Sequence, residues 1–307
     1  MVLISATKSE QEDKSFPWEK VTFTLSPSGD FYVDDDMRKA WLDYGFIIVK
    51  QLFSSETVKS LEKCAMDPNV HERLQPRVDE EGYKVNFVLW NNWDNGLFGA
   101  CSRCEKVVNP MEEFLGGEVY HYHTKLVLKQ PCGGGAFNWH QDYGYWYKNG
   151  CLSPDLATLW LPLDKVNSKN GCLKIIPGSH KLGRIDHINI NNQVTADPER
   201  VFHILNKYGF LYVEMEPGDG LFFHSNVLHS SDQNWSEDRR WAVISSYNLR
   251  ANDPVYKHHH PNYYYLQKIK NSEIASFHGK FATDYKFMVD SQDKSLREGY
   301  GQEDRVK

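Results

Sequence analysis

The sequence contains no apolar run that approaches the length of about 18 residues needed by a membrane-spanning helix. The apolar start, Met1 to Ile4, is also too short for a signal peptide. Basic residues do not predominate, because 35 Lys and Arg stand against 41 Asp and Glu and give a net charge of −6. A nucleic-acid-binding surface should be basic. We therefore expect a cytoplasmic protein that binds neither a membrane nor nucleic acid.

Cysteine is sparse as well, with six residues in a chain of 307. Their irregular spacing in a chain of this length is not typical of a disulfide framework. Cys101 and Cys104 form a single CxxC motif, but the second pair that a zinc site would need is missing. We expect these two residues to be reduced thiols near a helix end.

Aromatic residues are abundant, with nine Trp, 17 Tyr and 16 Phe. Side chains of this size form the walls of cores and pockets. A chain of 307 residues can bury a sizeable core, and β-barrel domains of more than about 200 residues often fold as one unit. The composition is therefore typical of one large domain or of two small ones.

The pattern along the chain predicts three parts. Residues 1–35 are polar and form an N-terminal arm, residues 36–250 form the main domain, and residues 251–307 form a C-terminal extension that is partly disordered at its end. Within the main domain, the apolar run of residues 42–50 predicts a buried strand. Residues 54–64 predict a helix that Ser54 or Ser55 caps.

Residues 95–117 look helical and end at a glycine pair, and the period then changes to that of strands. Short strands punctuated by Gly, Pro and Asn are typical of a barrel or sandwich. The predicted strands are 119–129, the segment that contains His140, 157–163, 172–176, 211–215, 220–224 and 241–248.

The pattern with the clearest chemistry is His140-Gln141-Asp142, considered together with His229 far downstream. On a strand, residues i and i+2 point to the same face, so His140 and Asp142 would project side by side. An imidazole from His229 would complete a set of two His and one carboxylate, which suits non-haem Fe(II). Alone the signal is weak, because a His-x-Asp occurs by chance in many proteins.

The surrounding motifs make the pattern more specific. The motifs are Tyr120–Pro131, Asn138–Tyr143, Asn170–His180 and Glu216–Ser231, followed by Arg239 and Arg240. In order and spacing they resemble the phytanoyl-CoA dioxygenase family of Fe(II)- and 2-oxoglutarate-dependent oxygenases, over about residues 40–250.

The resemblance implies a mainly β fold with flanking helices, built on a double-stranded β-helix. It also implies an enzyme whose metal ligands are His140, Asp142 and His229, with 2-oxoglutarate and O2 as co-substrates. Halogenating relatives lack the carboxylate, so the presence of Asp142 favours hydroxylation. We expect an unactivated C–H bond of a small-molecule metabolite to be hydroxylated, with release of succinate and CO2.

Four further residues match family positions around the co-substrate. The resemblance implies that Arg240 holds the distal carboxylate of 2-oxoglutarate, as a planar guanidinium does in a bidentate way. Ser231 would donate to the same carboxylate, Lys125 would line the pocket and Trp160 would pack beside it. A surface position for Lys125 and ordinary core packing for Trp160 stay open. Arg239 should face the opposite way from Arg240.

Aromatic residues crowd the predicted metal strand and could contact the substrate. They could surround a cationic head group or pack against an apolar chain. The candidates are Trp139, Tyr143, Tyr145 and Trp146, together with Asn91 and Trp93 from an upstream stretch rich in aromatics and amides. No basic cluster suits a CoA nucleotide, and we expect a small amphiphilic metabolite such as an amino acid or a related amine or acid.

We do not expect the other histidines to bind the metal. Neighbours on an extended chain point to alternate sides, so His258, His259 and His260 are expected in a solvated loop. The other histidines that we exclude as metal ligands are His121, His123, His180 and His224. Because a fold does not guarantee its chemistry, a non-catalytic metal- or ligand-binding sensor on the same barrel stays the main alternative. A metal-dependent hydrolase or isomerase is a third.

Overall fold

The structure is a computed structural model that describes residues 12–26, 29, 31–190 and 193–288. The predicted disorder at the end of the C-terminal extension lies outside the described residues, as do residues 1–11, 27, 28 and 30 of the arm. The three-part division of the chain stays a prediction.

Strands dominate the described chain. They are β1 Thr22–Thr24, β2 Phe46–Lys50, β3 Gln75–Val78, β4 Lys84–Trp90, β5 Val119–Lys129, β6 Phe137–His140, β7 Leu156–Pro162, β8 Leu173–Ile175, β9 His187–Ile190, β10 Gln193–Ala196, β11 Leu211–Val213, β12 Gly220–His224, β13 His229–Ser231 and β14 Arg240–Leu249. The α-helices are α1 Asp35–Tyr44, α2 Ser55–Ala65, α3 Pro68–His71, α4 Leu97–Arg103, α5 Glu105–Leu115, α6 Asp142–Trp146 and α7 Pro198–Tyr208.

Two sheets form the double-stranded β-helix that was expected. The larger has eight strands in the order β1-β2-β12-β7-β14-β5-β4-β3, and the smaller has four in the order β11-β8-β13-β6. Within them, β1 and β2 are parallel and the other pairs are antiparallel. The order places strands that are distant in sequence side by side, so residues from both ends of the domain can meet between the sheets.

The helices start and stop where the sequence provides caps. The Asp34 side chain accepts a hydrogen bond from the Met37 amide at the start of α1, and Ser54 does the same for Thr57 at the start of α2. Helix α1 ends at Gly45, whose φ of 82° is a left-handed conformation that glycine adopts without strain. The predicted helix at 54–64 is confirmed, whereas α1 was not predicted.

The expected single helix over residues 95–117 is instead two helices. Cys104 adopts an extended backbone, with φ −74° and ψ 152°, and separates α4 from α5. Helix α5 then ends at Gly116 in the left-handed region, as the glycine pair predicted. Helix α5 packs against β5, β7 and β14 of the larger sheet. The helices thus cover that sheet and leave its other face to the site.

The chain after β14 returns to the barrel. The Asn91 amide donates to the Lys286 carbonyl, and the Glu105 amide donates to the Ile269 carbonyl. The Asn91 side chain also donates to the carbonyl of His259 at 3.0 Å. These contacts fix the segment that carries the three consecutive histidines against the end of β4.

Candidate active site

His140, Asp142 and His229 meet between the two sheets. One ligand atom from each lies within 4.8 Å of the others, a spacing at which the three could hold a metal ion. The His229 Nε2 atom lies 3.8 Å from Oδ1 of Asp142. The imidazole rings of His140 and His229 have their centroids 4.1 Å apart. The structure therefore brings together the three residues that the sequence selected.

Strand pairing sets the position of the two histidines. Strand β6 runs antiparallel to β13, and His140 is the direct partner of His229. The expectation that Asp142 also lies on a strand is wrong, because β6 ends at His140 and α6 begins at Asp142. Gln141 between them keeps an extended backbone, with φ −110° and ψ 137°. This single extended residue is sufficient to leave the imidazole and the carboxylate on the same side.

Backbone carbonyls orient both imidazoles. The His140 Nδ1–H donates to the carbonyl of Asn138 at 2.7 Å, and the His229 Nδ1–H donates to the carbonyl of Val227 at 3.0 Å. Each hydrogen bond places the proton on Nδ1 and leaves the lone pair of Nε2 directed toward the other two residues. Metal-binding histidines usually have such a second hydrogen bond.

A chain of hydroxyl groups supports the carboxylate. Thr158 Oγ1 donates to Asp142 Oδ2 at 3.1 Å and lies 3.0 Å from Ser246 Oγ, which lies 3.4 Å from His123 Nε2. Thr158 and Ser246 are direct partners on β7 and β14. The arrangement fixes the rotamer of Asp142. Sequence patterns did not identify Thr158, because its role depends on the pairing of strands far apart in the chain.

Burial changes the proton affinities of the group. It lowers the pKa of His140 well below its usual value, and the neighbouring His229 lowers it further. Burial raises the pKa of Asp142. Neutral imidazoles and an oxygen donor in a low-dielectric site are the donor set that an Fe(II) ion accepts. On the chemistry and orientation of these donors, the residues present fit a ferrous ion.

Arg240 lies fully buried at the far end of the same space. Its Nε donates to the Gly171 carbonyl at 3.0 Å, and one terminal nitrogen donates to Ser231 Oγ at 3.2 Å. The guanidinium carbon lies 5.5 Å from the centre of the Trp160 ring. Burial lowers the pKa of Arg240 to about 10, so it keeps its charge at neutral pH.

A second cation beside Arg240 was not predicted. Lys129, the β5 partner of Arg240, is fully buried, and its Nζ donates to Ser231 Oγ at 3.0 Å and to the Asp232 carbonyl. No carboxylate within the described ranges forms an ion pair with either cation. Ser231 accepts from both, so its own O–H can donate to a ligand. Burial and the Arg240 charge lower the pKa of Lys129 well below its usual value. A buried guanidinium, a lysine amine and a hydroxyl form a fitting site for one carboxylate of a dicarboxylic acid, whose charge would favour protonation of the lysine.

Lys125 and Trp160 line the space between the two groups. The Lys125 Nζ lies 4.9 Å from the ring centres of both Phe87 and Phe137. Burial lowers its pKa to about 7, and the charge of Arg77 contributes to the shift. Trp160 is buried on β7, and its ring faces Arg240. The surface position considered for Lys125 is therefore wrong.

Arg239 faces the opposite way from Arg240, as predicted. Its Nε donates to Asp164 Oδ1 at 2.8 Å, and a terminal nitrogen pairs with Glu62 of helix α2. Its guanidinium also lies 4.2 Å from the centre of the Trp241 ring. Arg239 thus links a helix to the outer face of the larger sheet.

One cavity of about 850 Å³ is lined by the three candidate metal ligands together with Lys125, Trp160, Ser231 and Arg240. Its lining combines residues of both sheets with the segment after β14. The polar and charged lining residues are Gln75, Arg77, His123, Lys125, His140, Asp142, Asn149, His229, Ser230, Ser231, Arg240, Ser246, His259 and His260.

Of the six expected substrate contacts, Tyr145 and Trp146 line this cavity. Tyr143 instead packs with Tyr120, Tyr122 and Cys151 in a separate aromatic cluster. Helix α6 explains the difference, because Tyr145 and Trp146 lie three and four residues after Asp142 and share its side of the helix, whereas Tyr143 follows Asp142 directly.

Trp139, Asn91 and Trp93 also lie elsewhere. Trp139 points to the other side of β6, where its ring lies 5.5 Å from Lys174 Nζ. Trp93 carries the Arg103 guanidinium 4.8 Å above its ring, and the side chain of Asn91 binds the His259 backbone. The structure therefore gives these three residues packing and anchoring contacts.

The expectation of a solvated histidine loop is wrong for two of its three residues. His259 and His260 line the cavity, and His260 stacks on Tyr122 with ring centroids 4.4 Å apart. The three rings of residues 258–260 also bring ligand atoms within 4.8 Å of one another. The hydrogen bond from Asn91 folds this segment inward, which local alternation could not indicate.

The cysteines match the expectation of reduced thiols. All six are free, and Cys101 and Cys104 are buried at the junction of α4 and α5. Burial raises the pKa of both thiols. Such thiols are poor nucleophiles and weak metal ligands at neutral pH.

Comparison with known proteins decides the family. The family model described as phytanoyl-CoA dioxygenase matches residues 41–242. The chain belongs to this family. The match covers the cavity residues from Gln75 to Arg240, and it confirms the resemblance drawn from the four motifs.

Relatives with named activities are consistent with membership of this family. The L-proline trans-4-hydroxylase of Streptomyces griseoviridis is 29% identical over 170 residues, which cover 50% of this chain and 63% of that protein. The ectoine dioxygenase of Bordetella parapertussis is 26% identical over 224 residues, covering 68% of this chain and 73% of that protein. The first of these matches thus spans less than two thirds of the relative's length.

Solved structures confirm the fold. EctD from S. alaskensis, in a structure with 2-oxoglutarate and 5-hydroxyectoine, superposes with a TM-score of 0.65 at 19% identity, covering 79% of this chain and 90% of that one. This superposition confirms the double-stranded β-helix. The family match and the named relatives confirm the enzyme class, an iron- and 2-oxoglutarate-dependent dioxygenase, and its co-substrates. In the described part of the chain, no helix has the length and apolar character needed to cross a membrane.

Proposed function

We propose that this dioxygenase hydroxylates an unactivated C–H bond of a small-molecule metabolite while 2-oxoglutarate is converted to succinate and CO2. His140, Asp142 and His229 would hold the ferrous ion. The observation that carries the proposal is their convergence, with both Nε2 lone pairs directed at the Asp142 carboxylate region. A cytoplasmic location belongs to the same proposal.

When bound, the ferrous ion would supply the site for oxygen chemistry, with O2 as the oxidant and 2-oxoglutarate as the source of two of the four electrons that O2 takes up. The protein residues set the geometry. The carbonyls of Asn138 and Val227 hold the two imidazoles, and Thr158 holds the carboxylate. Side chains that are already held in place lose little conformational entropy when they bind an ion.

Arg240, Ser231 and Lys129 would bind the distal carboxylate of 2-oxoglutarate. The two cations lie on paired positions of β14 and β5, and both contact Ser231 Oγ. A dianion that reaches from this end to the metal ligands would pass Trp160 and Lys125. Lys125 would therefore add positive charge along the co-substrate, as the family resemblance implies.

The remaining part of the cavity would hold the metabolite. Tyr145 and Trp146 form one wall, and His123, Asn149 and His260 form a polar wall next to it. Relatives named for L-proline and ectoine suggest a compact substrate of similar size. We propose no CoA thioester, because the basic side chains of this cavity lie inside the barrel rather than around its rim.

The test is turnover of 2-oxoglutarate by the purified protein loaded with Fe(II). Succinate release should depend on iron and should be lost in His140→Ala and Asp142→Ala. His203→Ala, an exposed histidine on α7, is the matched control and should retain wild-type turnover. Full activity in both ligand variants would show that the metal assignment is wrong.

The same assay separates the main alternative. A non-catalytic sensor on this barrel would bind metal and 2-oxoglutarate without consuming oxygen. Oxygen uptake and succinate formation in equal amounts, stimulated by a member of a metabolite panel that includes L-proline and ectoine, would favour the hydroxylase.

A further inference from the structure

The cavity contains one guanidinium that the proposed reaction does not use. Arg77 lies on edge strand β3, where exposure alternates along the strand and places Gln75 and Arg77 toward the interior. Its guanidinium carbon lies 5.1 Å from the centre of the Phe137 ring. Arg240 instead donates to Gly171 and Ser231 and faces the Trp160 ring, so the contacts of Arg77 differ from those of the carboxylate site at Arg240.

The surroundings of Arg77 place it beside the reacting centre. The Arg77 charge acts on Tyr145, Lys125 and His140, and it lowers the pKa of each. The Tyr145 hydroxyl donates to the Val194 carbonyl at 2.8 Å. Phe137 covers one face of the guanidinium, and Arg77 lines the cavity, where its N–H groups can bind a ligand.

Within the described residues, Arg77 has no anionic partner. None of the ion pairs found there includes Arg77 or Lys125. The Arg77 charge lowers the pKa of Lys125, and the Asp142 carboxylate, which raises it, has the smaller effect. The repulsion between Arg77 and Lys125 is thus only partly offset, and an anion bound beside Arg77 would stabilise the arrangement.

The charge balance of the cavity also favours a bound anion. Asp142 is the one acidic side chain among the lining residues, against the basic side chains of Arg77, Lys125 and Arg240. A ferrous ion and a 2-oxoglutarate dianion cancel each other's charge. The loaded site therefore keeps an excess of positive charge on the side where the metabolite must bind.

We propose that Arg77 binds a carboxylate of the primary substrate, so that the metabolite is a small organic acid and Arg77 determines the specificity for it. The inference rests on the proposed function, and it selects the acid over the amine among the amphiphilic metabolites considered above. A guanidinium pairs with a carboxylate through two parallel hydrogen bonds. This pairing orients the bound molecule and selects for a negatively charged one.

The first test is a bromide soak of crystals of the protein loaded with Mn(II) and 2-oxoglutarate. We expect an anomalous peak in contact with the Arg77 guanidinium in the wild type and no such peak in Arg77→Gln. Arg73→Gln is the matched control, because Arg73 is also stacked on a phenylalanine, Phe287, but lies exposed outside the cavity. Absence of the wild-type peak overturns the proposal, whichever metabolite is the substrate.

The second test is a panel of matched acids, primary amides and amines, with L-proline, L-prolinamide and pyrrolidine as one set. Succinate release above the uncoupled background should be stimulated by acids and not by their amides or amines. Arg77→Gln should lower kcat/KM for the stimulating acid by about 10- to 100-fold, the usual effect of losing a charged hydrogen-bond pair. Arg77→Lys should recover part of that loss.

A further readout separates this proposal from the proposed function. In Arg77→Gln the KM for 2-oxoglutarate should change far less than kcat/KM for the stimulating acid, because Arg240 and Ser231 still bind the distal carboxylate of the co-substrate. A large rise in that KM would assign Arg77 to the co-substrate and overturn the inference. Stimulation by an amide or an amine in preference to its acid would also overturn it. If iron-dependent turnover is absent altogether, the proposed function fails, while the bromide result still decides on Arg77.

Discussion

The Nε2 atom of His229 lies 3.8 Å from Oδ1 of Asp142, although strands β7 to β12 and helix α7 separate them along the chain. The contact exists because β13 pairs with β6, which ends just before Asp142. Metal affinity and fold are therefore linked. Changes that disturb this pairing should affect both.

Arg240 and Arg239 offer a matched pair of substitutions. Arg240→Ala should raise the KM for 2-oxoglutarate by at least about tenfold, because a buried charge-assisted pair contributes about 1.5–3 kcal/mol. Arg239→Ala removes an ion pair on the outer face, and it should leave that KM unchanged. Steady-state kinetics with varied 2-oxoglutarate measure the difference. Equal effects of the two variants would contradict the assignment.

Thr158→Val should weaken metal binding without unfolding the protein. The substitution keeps the shape of the side chain but removes the hydrogen bond to Asp142 Oδ2. Loss of such a supporting contact usually lowers metal affinity by about 10- to 100-fold. Titration with Mn(II) gives the affinity, and thermal unfolding checks the fold. Thr124→Val is the control, since Thr124 is equally buried but bonds to His121.

Lys125 should make stability depend on pH. Burial and the charge of Arg77 lower its pKa to about 7 in the folded chain, against about 10.4 in the unfolded chain. Between these values the unfolded chain binds more protons, so the free energy of unfolding rises with pH. Between about pH 7 and pH 10, the free energy of unfolding should rise by about 3 kcal/mol more in the ligand-free wild type than in Lys125→Met. Urea denaturation at both pH values measures this, and identical slopes would contradict it.

Gly144 should tolerate no side chain. A Cβ at this position would lie 2.1 Å from Cε1 of His187, whose Nε2 accepts a hydrogen bond from the Gln141 amide between two proposed ligands. Gly144→Ala should cost about 1–3 kcal/mol, as overpacking usually does, and should also weaken metal binding. Chemical denaturation and Mn(II) titration provide the two readouts. Gly117→Ala, which meets a flexible leucine methyl at 3.2 Å, should have little effect on either.

Much of the site was predictable because motifs combine residue type with order. The metal triad was selected from residue types and their motifs, Ser231 and Arg240 were taken from the family resemblance, and the structure brings all five to one cavity. Lys129 was missed, although it has the same strand parity as Lys125, because buried lysines are rare. Arg77 and Thr158 were missed because their positions depend on which strands are neighbours, and no local pattern encodes that order.

The errors have a similar origin. Asp142 was placed on a strand, but the helix α6 starts there, and the change of period turns Tyr143 away from the cavity. The histidines at 258–260 were assigned to a solvated loop, but a hydrogen bond from Asn91 draws them inward. In both cases, tertiary contacts determine which side a residue faces, and alternation along the sequence does not report them.

The most direct measurement is an anomalous difference map at the iron edge, from crystals grown without oxygen in the presence of Fe(II) and 2-oxoglutarate. A single strong peak in contact with His140 Nε2, Asp142 Oδ1 and His229 Nε2 is the predicted result. A peak held instead by the imidazoles of His258, His259 and His260, with the first site empty, would contradict the central claim.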